Sequence, residues 1–133
     1  MFGYDNVHVV TVSLSDPTKD NTYKLLRVPS RNDKIEILAA WAESDTTVTL
    51  GSGTGIALRL YNYGTAGTSA SGTVSASLGG TAVTWTAGTP KTFTISEGTM
   101  EDSEYLVVGY DESGTIAPLN LTVSVEYVIG VGA

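Results

Sequence analysis

The stretch Leu121-Thr122-Val123-Ser124-Val125-Glu126-Tyr127-Val128-Ile129 decides the fold. Leu121, Val123, Val125, Tyr127 and Ile129 fall on one side of an extended chain, with Thr122, Ser124 and Glu126 on the other. Successive side chains of an extended backbone point to opposite faces, so this alternation describes a half-buried strand, one face on a core and the other toward water or a partner. The same period recurs in Val7–Val9, Leu26–Val28, Ile35–Ile37–Ala39–Trp41, Val48–Leu50, Ile56–Leu58–Leu60, Val74–Ala76–Leu78, Val83–Trp85, Phe93–Ile95 and Leu106–Val108–Tyr110. Turn-forming residues separate these runs: Asp16-Pro17, Pro29 to Asn32, Gly51 to Gly55, Asn62-Tyr63-Gly64, Gly79-Gly80, Gly88-Thr89-Pro90, Gly98 and Asp111 to Gly114.

Many short strands with frequent punctuation and no intervening helices predict a single all-β domain over residues 1–133. The expected form is an antiparallel two-sheet sandwich of the jelly-roll or Greek-key type with roughly 8–10 strands. Composition agrees, since Gly, Thr and Ser together fill 47 of 133 positions. Strand is expected for 33–44, although Asp33 at an N-cap position and the spacing of Ile35, Leu38, Ala39 and Ala42 also fit a helix. A single helical turn is expected within Glu97 to Ser103. The low-complexity patch Gly64 to Gly72 is expected to be a long, mobile loop at one end of the sandwich. Residues 1–6 are expected to form an N-terminal arm.

The net charge is −7, and all but −1 of it lies beyond residue 66, where Lys91 is the sole base against seven acids. A surface of that sign repels phosphate backbones, which argues against direct nucleic-acid binding. The apolar window from Ile116 to Ala133 is broken by Asn120, Ser124 and Glu126 and alternates too regularly for a membrane helix, so no membrane role is expected. Asp5 stands where a signal peptide would carry a basic segment, which points to synthesis in the cytoplasm. With no Cys, disulfides are absent and the redox compartment is undetermined.

Catalytic chemistry finds little to work with, and the chain is read as a non-enzyme without a cofactor or a metal. The period places His8, the one imidazole, on the polar face of the first strand, with no identifiable nucleophile or orienting acid. Glu97, Glu101, Asp102 and Glu104 lack the spacing of a calcium loop and read as a solvated acidic turn, weak calcium binding being the alternative. The glycines from Gly51 to Gly55 open a strand, not a helix, so they lack the helix N-terminus that cradles phosphate. The aromatics are more informative. Trp41 and Trp85 are in phase with Ile37 and Val83 and are expected in the core. Tyr61, Tyr63 and Tyr105 are out of phase with the core and, together with Phe2 and Tyr4 of the arm, are the candidate partner contacts. Aromatic platforms on β-sandwiches also hold sugar rings, so a carbohydrate-binding module is the alternative function.

From Tyr23 to Ile129 the chain resembles the small all-β head decoration (cement) proteins of tailed bacteriophages. The resemblance lies in a strand ending at Pro29, the polar Ser30 to Lys34 turn and the strand Ile35-Glu36-Ile37. It continues through Gly79-Gly80 ahead of Thr84-Trp85-Thr86, then Thr89 to Ile95, Tyr105 to Gly114, and Pro118 to Val128. Asp102-Ser103-Glu104 stands where such proteins often carry a Gly-Asp turn. The resemblance implies a jelly-roll-like virion structural protein, made in the host cytoplasm and added to the exterior of a phage head. Its implied partners are the major capsid protein and further copies of itself, a homotrimer being expected.

Overall fold

In a computed structural model of the chain, residues 3–4, 7–18, 20–30 and 33–131 are described. They form eleven strand segments: β1 (Gly3–Tyr4), β2 (His8–Ser15), β3 (Asn21–Arg27), β4 (Lys34–Ser44), β5 (Gly55–Asn62) and β6 (Gly72–Thr73), then β7 (Leu78–Thr81), β8 (Lys91–Thr92), β9 (Thr99–Met100), β10 (Tyr105–Ser113) and β11 (Asn120–Val131). No helix occurs among the described residues. The pairing is nested: β2 with β11, β3 with β10, β4 with β8 and β9, and β5 with β6 and β7, all antiparallel. The first half of the chain thus pairs with the second in reverse order, as in one long hairpin. Ladders between β4 and β11 and between β5 and β10 roll that hairpin into two sheets, β2-β11-β4-β8/β9 and β3-β10-β5-β6/β7. This is the jelly-roll arrangement of a β-sandwich.

The inward residues of the two sheets meet in one core. Leu14, Ile35, Ile37, Ala40, Ala42, Leu121, Val123 and Val125 come from the first sheet, and Ile56, Leu58, Leu60, Leu106, Val108 and Tyr110 from the second. Each fully buried large apolar side chain contributes on the order of 1.5–3 kcal/mol. Trp85 is fully buried among them, as its phase predicts. The segments around Val48, Trp85 and Ile95 form only isolated bridges, Val48 with Trp85 and Ser75 with Ile95, rather than the strands expected there. Gly51, Gly79-Gly80, Gly88, Pro90 and Gly98 bound these runs and keep each short, yet Val48, Leu50, Trp85 and Phe93 still reach the core.

The connections gather at two ends. At one, Asn120 ties three loops: its Oδ1 accepts from Asp16 N–H at 3.0 Å, and its own N–H and Nδ2 donate to the Asp45 carboxylate, both at 2.9 Å. These donors, with Thr46 Oγ1, hold the Asp45 carboxyl below the usual aspartate range. At the other end, Val28 N–H bonds Glu104 C=O, Tyr63 N–H bonds Tyr105 C=O, and Tyr105 N–H bonds Gly64 C=O.

Residues 34–44 are strand, as expected, and the helix alternative falls. Three other sequence expectations change. Within 97–103 there is no helical turn: Thr99–Met100 pairs with β4, and 101–104 is a tight turn in which Glu101 N–H bonds Glu104 Oε1 and Ser103 takes φ 63°. The Gly64–Gly72 loop is folded back, not loose. Ser71 N–H bonds Asn62 C=O, Gly67 N–H bonds Tyr63 C=O, and Gly67 is buried beneath the Tyr105 ring. Finally, the phase of β2 and half of β4 is inverted. Val10, Val12 and Leu14 point inward with His8, which stacks on Tyr127 with ring centroids 5.4 Å apart, while Val7 and Val9 are exposed. In β4, Ala39 is opposite Glu126 and Ile37 opposite Tyr127, so Leu38 is an extra, bulged residue. Beyond it Ala40, Ala42 and Ser44 point inward, and Trp41 lies on the outer face opposite Ser124, not in the core.

Candidate functional site

Both sheets leave an outer face, and the residues on the two differ in chemistry. On the β3-β10-β5 sheet, outward positions form cross-strand rows. Thr22, Gly109 and Arg59 are in register, the row toward one end has Lys24, Val107 and Tyr61, and toward the other Asp111 stands opposite Ala57. Gly109 is the low point. A Cβ there would be 2.7 Å from Cε2 of Tyr61, so the missing side chain lets the Tyr61 ring lie down across β10. Its backbone is ordinary strand, and the glycine is required by the ring rather than by its own dihedral angles.

The small residues along these rows open a groove of about 510 Å³. Tyr61 and Tyr63 stand at one end, their centroids 6.2 Å apart and planes tilted by 58°. Asp20 and Asp111 line it together with Arg59, whose Nε is buried with no hydrogen-bond partner. Tyr105 does not join them. Its ring packs on Gly67 and carries Lys24 Nζ at 4.7 Å and the Arg27 guanidinium at 5.7 Å, which makes it a clamp for the 63–71 loop.

The outer face of the β2-β11-β4 sheet is more apolar. Val7, Val9 and Leu38 are 56%, 55% and 47% exposed and are the only large hydrophobic side chains left so open among the described residues. In register, Val9 and the Leu38–Ala39 bulge flank Glu126, and Trp41 stands one row away beside Ser124, whose Oγ shares a hydrogen bond with Thr11 Oγ1 at 3.0 Å. A patch that leads into an N-terminal segment has the makings of a contact surface. The backbone of Gly3–Tyr4 extends the same sheet by pairing with Gly130 and Val131. Phe2 and the side chain of Tyr4, the arm's candidate contacts, lie outside the described residues.

Of the five sequence candidates, the fold brings Tyr61 and Tyr63 together and ties Tyr105 into the loop beside them, while of the arm only the Gly3–Tyr4 backbone is described, on the other sheet. Sequence reasoning missed Gly109, Arg59, Asp20 and Asp111 on one face and Val9, Leu38 and Trp41 on the other. Gly109 alone left a signal, a glycine inside the otherwise bulky run Tyr105–Tyr110. Among the described residues, no three acidic, His or Cys side chains converge on a point that could hold a metal ion.

No protein-family model matches the chain, and no curated protein matches it in sequence. Solved structures do match. A chain in the acidic stable capsid structure of Helicobacter pylori bacteriophage KHP30 superposes with a TM-score of 0.55 at 10% identity, over 100% of this chain and 98% of that one. Chains of infectious bursal disease virus match with lower scores: the Gx strain at 0.45 with 14% identity over 98% of this chain and 33% of its own, and the Gt strain at 0.40 with 14% identity over 95% and 33%. At 10% identity the likeness to the phage capsid chain is one of fold, extending over the full length of both chains.

Proposed function

We propose that this protein is a virion structural protein of a phage, a decoration (cement) subunit that seats on the outside of the head and strengthens contacts between major capsid proteins. One observation carries the reading: a jelly roll that matches, end to end, a chain of a phage capsid structure. The match covers nearly all of both chains, so the shared sandwich accounts for nearly all of the residues compared. A sandwich of this size suits addition to a shell.

Cementing needs no bond-making chemistry. It needs a rigid body, extra buried area across seams, and an apolar patch that gains by being covered. The nested ladders supply the first, and Val7, Val9, Leu38 and Trp41 offer the last. In this reading Phe2 and Tyr4 of the N-terminal arm serve as two aromatic anchors on the neighbour. Self-association as a homotrimer places three such patches around one seam.

The test is reconstitution. The purified chain is mixed with heads lacking it, sedimented, and the particles are heated while DNA release is followed. Co-sedimentation and release at a higher temperature are expected. A chain that stays in the supernatant with intact heads overturns the reading, and one that binds without altering DNA release reduces it from cement to passive decoration. Light scattering on the free chain is expected to give a trimer.

A further inference from the structure

The groove on the β3-β10-β5 face lies on the sheet opposite the apolar patch, and the virion reading leaves it without a role. We propose that it binds a saccharide, with Tyr61 and Tyr63 as the stacking surface and Arg59, Asp20 and Asp111 as the hydrogen-bonding groups. The proposal stands on the groove alone and does not rest on the virion reading.

The lining chemistry narrows the ligand. Two carboxylates repel phosphates and carboxylates, and a guanidinium repels cations, so neither a simple anion nor a simple cation matches. An apolar ligand would cover the charged Arg59 side chain that lines the groove and offer it no acceptor, a costly arrangement. A sugar satisfies all three groups, because each hydroxyl can accept from Arg59 and donate to Asp20 or Asp111. Its C–H faces also stack on tyrosine rings.

Shape agrees with chemistry. A groove of about 510 Å³ falls within the range of small-molecule sites, roughly 300–1,000 Å³. The Tyr61 and Tyr63 planes, tilted by 58°, can contact two faces of one residue or two successive residues of an oligosaccharide. The groove crosses the middle of the sheet, over β10 and β5, where backbone groups are already paired in ladders, so an extended peptide finds no free edge to join. Gly109 fixes the aromatic platform by allowing the Tyr61 ring to lie across β10.

The experiment is an array of neutral, amino and uronic oligosaccharides probed with the full chain, followed by ¹⁵N amide titration with whichever saccharide binds. Binding is expected, with amide shifts concentrated at residues 57–63 and 107–111. Affinity is expected to fall roughly tenfold in Tyr61→Ala and in Arg59→Met, a loss of the size a single stacking or polar contact supplies. Circular dichroism melts verify that each variant folds, and Arg59→Met, which keeps the aliphatic stem, carries the test if Tyr61→Ala does not. No saccharide bound by the native chain overturns the proposal, as does binding that both folded variants retain in full. Inorganic phosphate or an acidic peptide shifting the same amides where sugars do not would also overturn it.

Discussion

Tyr110 shows how one side chain joins core to surface. Its ring is 1% exposed, packed in the sandwich interior, while its hydroxyl donates to Glu112 Oε2 at 2.9 Å. Burial, followed by the bond to Glu112 and the charge on that residue, raises the phenol pKa well above the usual tyrosine range. The folded state therefore holds its proton when the unfolded chain would release it. The stability this provides is complete below pH ~10, the ordinary tyrosine value, and is lost as pH climbs above that toward the folded pKa. Tyr110→Phe is expected to cost about 1 kcal/mol at neutral pH, the net worth of the hydrogen bond. The difference from the native chain should shrink above pH ~10, where only the native chain loses the Tyr110 contribution. Parallel denaturant melts across pH measure this; a gap that stays constant from neutral to alkaline pH would contradict it. His8, the one imidazole, stands on Tyr127 at the inner edge of β2, and its polar-face placement in the sequence reading failed for a local reason. Val7-His8-Val9-Val10 holds apolar residues in both phases, so the alternation there has two valid readings.

At the scale of elements, β4 separates what periodicity can and cannot supply. A strand was legible from 33 to 44, but its facing was not, because the Leu38 bulge shifts the phase midway. Such a bulge is set by the partner strand, whose Glu126 and Tyr127 pair with Ala39 and Ile37 and skip Leu38. The two tryptophans therefore part company. Trp85 is fully buried, whereas Trp41 sits half-covered on the outer sheet face. Trp85→Ala is expected to cost about 3–5 kcal/mol, and Trp41→Ala roughly half of that or less. Equal losses in chemical denaturation would mean that Trp41 is in the core after all. Trp85→Phe is expected to cost far less than Trp85→Ala, since the indole Nε1 has no partner to lose.

For the whole molecule, the two outer faces differ in chemistry, one apolar and one a polar, aromatic groove, and in the proposed readings the first seats on the head and the second holds a ligand. Val9→Lys combined with Leu38→Lys removes the apolar patch while placing cations on both sides of Glu126, a favourable cross-strand arrangement. The double variant is expected to melt within about 1 kcal/mol of the native chain and to lose co-sedimentation with heads. Native-like particle binding by the double variant would show that seating uses another surface. The alternation around Leu121–Ile129, the glycine-rich punctuation and the scarcity of Lys determined an all-β sandwich and an acidic surface, because those follow from the two-residue period of an extended chain and from charge counting. Which strand pairs with which, the bulge that turns Trp41 outward, and the meeting of Arg59, Tyr61, Gly109 and Asp111 were decided only in the tertiary structure. They depend on register between segments far apart in the chain, about fifty residues for β5 with β10 and about eighty to ninety for β4 with β11, which no local pattern encodes.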